Sequence, residues 1–202
     1  MAPTLPLNIP IPPSQALANY DFNDISSGLG YIKYDLFTTS LSGTTAFGLT
    51  TNSVYSYDIS TTDTAGDPEI NFDSSAFNLP RTASGTAYAN LGFGITGSGT
   101  GNVQVILYKV NSAGTETALS ALLSGANIGG AATTVGMWLV PMALTQTIIK
   151  KDEYLRLGVT ITGDGADIHE LGHDPKGRDG LLISGGTATT ISSVYVPFRI
   201  NT

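Results

Sequence analysis

Residues able to do acid–base or metal chemistry are concentrated in one stretch, GDGADIHELGHDPKGRDG, from Gly163 to Gly180. It holds both histidines of the chain, and His169-Glu170-Leu171-Gly172-His173 matches the H-E-x-x-H pattern of zinc proteases. On a helix, histidines at i and i+4 share one face and can hold one zinc ion, while the glutamate polarises the metal-bound water. The surroundings oppose this. Pro175 lacks the N–H that the Leu171 carbonyl would accept from and pushes Asp174 out of the α region, so a helix here stops after about two turns. No Asp, Glu or His follows Asp179, and in the longer form of the pattern the glycine position is held by Lys176, with Gly177 one place late. A zinc metalloprotease acting through this motif is kept as the remote alternative, and the expectation is no catalytic residue, no metal and no cofactor. The carboxylates of Asp164, Asp167, Glu170, Asp174 and Asp179 offer oxygen ligands of the kind calcium takes, but their spacing fits no EF-hand loop. The stretch is expected to be an ordered polar loop between two late strands, with His173, Asp174 and Arg178 as its candidate contact residues.

The elements that would position such a loop are strands. Of 202 residues, 41% are hydrophobic and only 12% charged, with 24 glycines, which suits an all-β protein with polar, uncharged outer faces. Cysteine is absent, so neither disulfides nor thiolate metal sites can form. A net charge of −7 without a basic cluster speaks against direct nucleic-acid binding. No apolar run is long enough for a membrane span, and neither a signal peptide nor a membrane partner is expected.

Residues 1–16 form a proposed N-terminal arm. Pro3, Pro6, Pro10, Pro12 and Pro13 alternate with Leu5, Leu7, Ile9 and Ile11, which predicts an extended segment whose apolar side chains dock on a neighbour. Residues 17–202 read as one domain. Tyr31–Phe37 and Ser53–Ile59 are half-buried strands by alternation, and Tyr154–Ile161 sends Leu155, Leu157, Val159 and Ile161 inward. Thr86–Thr96 and Asn102–Val110 flank a glycine-rich turn and predict a hairpin. Thr115–Leu123 has helical composition, Lys150–Glu153 reads as a charged turn, and Pro197 marks the last strand as an edge or a bulge. Short strands without βαβ alternation predict an antiparallel, jelly-roll-like β-sandwich.

Lys151-Asp152-Glu153-Tyr154-Leu155-Arg156-Leu157, Gly172-His173-Asp174-Pro175 with Arg178, and Val194-Tyr195-Val196-Pro197-Phe198-Arg199-Ile200 resemble the C-terminal half of small β-sandwich virion proteins of tailed phages, nearest to head decoration (cement) proteins. The resemblance implies a non-enzymatic structural protein on the outer capsid surface of the virion, commonly a trimer, with the major capsid protein as partner. Its alternative is a tail-fibre or receptor-binding jelly-roll domain recognising host surface glycan, for which Tyr20, Tyr31, Tyr55, Tyr57 and Trp138 are the candidate aromatic platforms.

Overall fold

The computed structural model describes residues 29–41, 44–52, 58–62, 69–97, 99–129, 133–163, 168–173, 181–182, 189–190 and 192–199. The expected arm with Leu5, Leu7, Ile9 and Ile11, the tyrosines Tyr20, Tyr55 and Tyr57, and residues 174–180 with Asp174 and Arg178 lie outside them.

Every regular element among the described residues is a strand. In chain order these are β1 (Leu29–Leu41), β2 (Thr44–Thr50), β3 (Asp58–Thr62), β4 (Ile70–Ser74), β5 (Arg81–Thr96), β6 (Thr100–Val110), β7 (Glu116–Ala118), β8 (Leu123–Ser124), β9 (Ile128–Gly129), β10 (Thr133–Ile149), β11 (Tyr154–Gly163), β12 (Ile168–His173), β13 (Leu181–Leu182), β14 (Thr189–Thr190) and β15 (Ser193–Arg199). Among the described residues β13 and β14 pair only with each other; the remaining strands form one sheet along a single hydrogen-bonded path, from which β10 branches at β5 and β8 and β9 at β6.

That path folds over into a β-sandwich. In the first layer, β5 takes β10 along one edge and β15 followed by β12 along the other; β12 continues to β3, and β15 to β1. The second layer runs β2, β4, β11, β6, with β7, β8 and β9 on the far edge of β6. β1 belongs to both, handing over at Asp35, which is in register with Ser193 of β15 and with Thr50 of β2. Among the described strands all pairings are antiparallel except β2 with β4, which run parallel. The sandwich expectation holds, and the sheet is mixed rather than purely antiparallel.

Period-two alternation explains the core. Leu155, Leu157, Val159 and Ile161 of β11, and Val103, Val105 and Leu107 of β6, are buried, as are Leu91, Phe93 and Ile95 of β5 and Val194 and Val196 of β15. Burying each of the larger side chains favours folding by about 1.5–3 kcal/mol.

Two local expectations are corrected. β5 and β6 are not a hairpin: β5 pairs with β10, β12 and β15, and β6 with β11 and the short edge strands. The turn between them, with Gly97 at φ 134°, carries the chain from one layer to the other, so their apolar faces meet across the core instead of side by side. Residues 115–123 hold no helix. Glu116–Ala118 extends the sheet beside β6, because backbone groups there find partners on Tyr108 to Val110 that an isolated helical turn would lack. Pro197 does mark a bulge: the register of β15 against β5 shifts between Tyr195 and Phe198.

On β11, Leu157→Ala is expected to cost about 2–5 kcal/mol, and Thr160→Ala, on the opposite face of the same strand, under about 0.5 kcal/mol. Urea unfolding midpoints measure both, and equal losses would refute the assigned faces.

Candidate functional site

The H-E-x-x-H segment is β12, a strand in the interior of the first layer. Its backbone is registered on one side to β5, His169 opposite Ile95, and on the other to β3, His169 opposite Thr62. A helix here would forfeit both ladders. The geometry removes the zinc-protease alternative: residues four apart on a strand are about 13 Å apart, whereas one zinc needs both nitrogens within about 2.1 Å. Among the described residues no group of three or more metal-ligating side chains occurs.

On β12, His169, Leu171 and His173 point into the core and Glu170 points the other way. His169 is 1% exposed, and its ring lies over the paired glycines Gly101 and Gly163 of the second layer. A Cβ on Gly101 would sit 3.1 Å from His169 Cδ2, and one on Gly163 would collide with Nε2. Among the described residues His169 Nε2 is buried without a hydrogen-bond partner. His173, also 1% exposed, lies edge-on to Phe47 of β2 and Phe72 of β4, with centroids 5.9 and 6.0 Å away. The residue expected in a contact loop is therefore an aromatic member of the interlayer core. Glu170, 3% exposed, stands on the opposite face in register with Gly94.

A concave site lies where β2 meets β4. These strands share only two residue pairs, Gly48 with Asp73 and Leu49 with Ser74, and beside them is a cavity of about 500 Å³. Tyr34, Phe37, Phe47 and Phe77 supply aromatic walls, and the exposed Thr51 and Ser75 also line it. Phe37 rests on Gly48 where a side chain would otherwise stand. Burial pushes the Tyr34 phenol up to about 12, so it stays neutral at physiological pH. Asp73 also lines the cavity, but its carboxylate accepts two hydrogen bonds of 2.6 Å from Arg156 Nε and Nη2. The cavity thus combines aromatic walls with the hydroxyl residues Thr50, Thr51, Ser74 and Ser75, and its one carboxylate, Asp73, is paired to Arg156. No sequence motif pointed to it, since its lining comes from β1, β2, β4 and the segment after β4.

Arg156 links strands across the outer face of the second layer. Its Nη1 donates to Glu116 Oε1 of β7 at 2.6 Å, and its guanidinium lies 5.8 Å from the Tyr154 ring centroid. The hydrogen bonds to Asp73 raise its pKa further above the ordinary value. Glu69 lies over Gly158 and accepts a 3.4 Å hydrogen bond from Tyr108 Oη. Burial, followed by repulsion from Glu116, raises the Glu69 pKa against the opposing pulls of Tyr108 and Arg156.

No protein-family model matches the chain, and no curated protein matches it. Among solved structures, a CocE/NonD family hydrolase from Staphylococcus aureus is similar at a TM-score of 0.58 and 9% identity, over 84% of this chain and 37% of the hydrolase. An aminopeptidase from a marine sediment archaeon, Thaumarchaeota archaeon, is similar at 0.53 and 9% identity, over 82% of this chain and 36% of its own. This chain therefore spans little more than a third of these enzymes. A weak similarity to a viral capsid also exists: the infectious bursal disease virus Gt strain structure matches at 0.25 and 14% identity, over 83% of this chain and 43% of that one, too low to carry an argument. The expectations of a non-enzymatic capsid decoration protein and of a tail-fibre receptor domain are overturned, because the structures that share this fold well are hydrolytic enzymes.

Two substitutions test these placements. Gly163→Val drives a side chain into the buried His169 ring and is expected to cost about 1–3 kcal/mol by denaturation, while added zinc leaves the melting temperature of the unaltered protein unchanged. Glu69 binds its proton more readily in the folded than in the unfolded chain. Its contribution to stability is therefore greatest at low pH and is lost as pH rises through its folded pKa. Glu69→Gln should accordingly raise the melting temperature at neutral pH, and the gain should vanish below the ordinary carboxylate range.

Proposed function

We propose that this chain is the β-sandwich component of a hydrolytic enzyme acting on acyl bonds such as the peptide bond. The observation that carries the reading is the backbone likeness to a hydrolase and an aminopeptidase, which spans most of this chain and just over a third of each of theirs.

Acyl transfer needs a nucleophile with a base in hydrogen-bond reach and donors for the oxyanion. Both histidines are walled into the interlayer core, so neither is the base that meets substrate. The catalytic groups come from outside the described sandwich. What the sandwich offers is binding. The cavity beside the β2–β4 junction, at about 500 Å³, falls in the size range of small-molecule sites. Its aromatic walls suit the apolar acyl or aromatic portion of a substrate. Such remote contacts act on substrate and transition state alike and so appear in KM.

The full chain, recovered by tag from its native source together with whatever it is joined to, is expected to hydrolyse aminoacyl-anilide or aryl-ester reporters. Thr51→Trp, at the mouth of the cavity, should raise KM about tenfold with kcat unchanged. No hydrolysis above an untagged control overturns the reading. Hydrolysis indifferent to Thr51→Trp removes the cavity from it.

A further inference from the structure

A second cavity, of about 200 Å³, opens at the end of the sandwich where β1 and β5 begin and β15 finishes. Arg81 and Arg199 line it together with Ile32, Leu79, Pro80 and Phe198, and among the described residues no aspartate or glutamate does. The Arg81 guanidinium lies 5.9 Å from the Phe77 ring centroid and 5.7 Å from that of Phe198. Phe77 is itself fixed by two backbone hydrogen bonds to the turn before β11, of 2.8 Å with Glu153 and 2.9 Å with Asp152, and Phe198 is buried. Two anchored rings therefore hold Arg81 at the cavity. Burial raises the Tyr34 phenol, and the positive charge of Arg81 reaches far enough into the sandwich to pull the other way.

We propose that this cavity binds the carboxylate of a small organic acid that carries a short apolar group. Charge is the first reason. Acidic residues outnumber basic ones by sixteen to nine, and Lys33, Lys109 and Arg156 each meet a carboxylate of the chain. Among the described residues Arg81 and Arg199 form no such pair, and both line one cavity. Aromatic rings attract a cation but are poor acceptors of its N–H groups, so the forked donors of Arg81 remain for oxygen atoms of a ligand. The planar guanidinium matches the two oxygens of a carboxylate.

Phosphate would also suit an arginine, and the rest of the lining decides against it. Ile32, Leu79, Pro80 and Phe198 carry no hydroxyl or amide to take up the further oxygens of a phosphate or a sugar. Leu79 is 73% exposed, an apolar surface left for a ligand to cover. Volume sets the size: the cavity lies below the roughly 300–1,000 Å³ of sites that enclose a whole small molecule, so it takes an end group. A free short-chain acid and the C-terminus of a short peptide present this same chemistry. The site is independent of the hydrolase reading.

Calorimetric titration of the full-length chain at low salt tests this with isocaproate, N-acetyl-glycyl-leucine, the amides of both, and inorganic phosphate. A carboxylate should bind, more weakly as salt is added, and neither amide should. The acid that binds more tightly identifies the source, and either one supports the proposal. Arg81→Gln should weaken binding at least about tenfold and Arg199→Gln about fivefold. Arg81→Lys keeps the charge without the fork and should recover only part of the affinity. Lys151→Gln removes the same charge from an exposed turn residue outside the cavity and should change binding less than about twofold. Circular dichroism melting confirms that each variant is folded; should Arg81→Gln unfold the chain, Arg199→Gln, at an exposed position, decides alone. No binding of either carboxylate, equal binding of an acid and its amide, tighter binding of phosphate than of both acids, or the same loss from Lys151→Gln as from Arg199→Gln overturns the proposal.

Discussion

The two layers hold together because strands whose hydrogen bonds run sideways turn one set of side chains toward a common interior. Leu91, Phe93 and Ile95 of β5 meet Val103, Val105 and Leu107 of β6 although only a short turn separates the two strands in sequence. Hydrogen bonding satisfies the strands within each layer and joins the two layers only through β1, and apolar burial closes the rest of one layer on the other. Each strand is thus bound by two unrelated forces, and β12 shows both. Its ladders to β3 and β5 fix the register, while His169 over Gly101 and Gly163, and His173 against Phe47 and Phe72, fill the space between layers.

Alternation made much of this legible in the sequence. The strand at Tyr31–Phe37, the inward set of β11, the charged turn ahead of Tyr154 and the bulge at Pro197 follow from residue type and period two, which are local properties. Partner choice is not local. The same alternation in residues 86–96 and 102–110 fits a hairpin or a crossing between layers, and only the whole set of strands competing for edges decides. The H-E-x-x-H match misled for a related reason: i and i+4 share a face on a helix and also on a strand, so the spacing could not reveal that the histidines are far apart. Their burial depended on two glycines, Gly101 and Gly163, at positions distant in sequence.

Function divides along the same line. The chemical residues that catch the eye in the sequence are packed away, and the surfaces open to other molecules are built from residues that no spacing in the sequence sets apart. The cavity beside β2 and β4 arises because those strands share two residue pairs and no more, and the cavity of Arg81 and Arg199 arises where β1 and β5 begin and β15 finishes. Neither is a motif. Both are consequences of where strands stop pairing.

The first and last long strands of the sandwich are neighbours, with Leu29 in register with Arg199. Chain entry and exit therefore sit side by side at one end of the sandwich. A folded unit with adjoining ends can be spliced into a surface loop of another protein, or appended to it, without stretching either partner. The same adjacency makes β1 with β15 a pairing between residues far apart in sequence, whose closure costs more chain entropy than that of neighbouring strands.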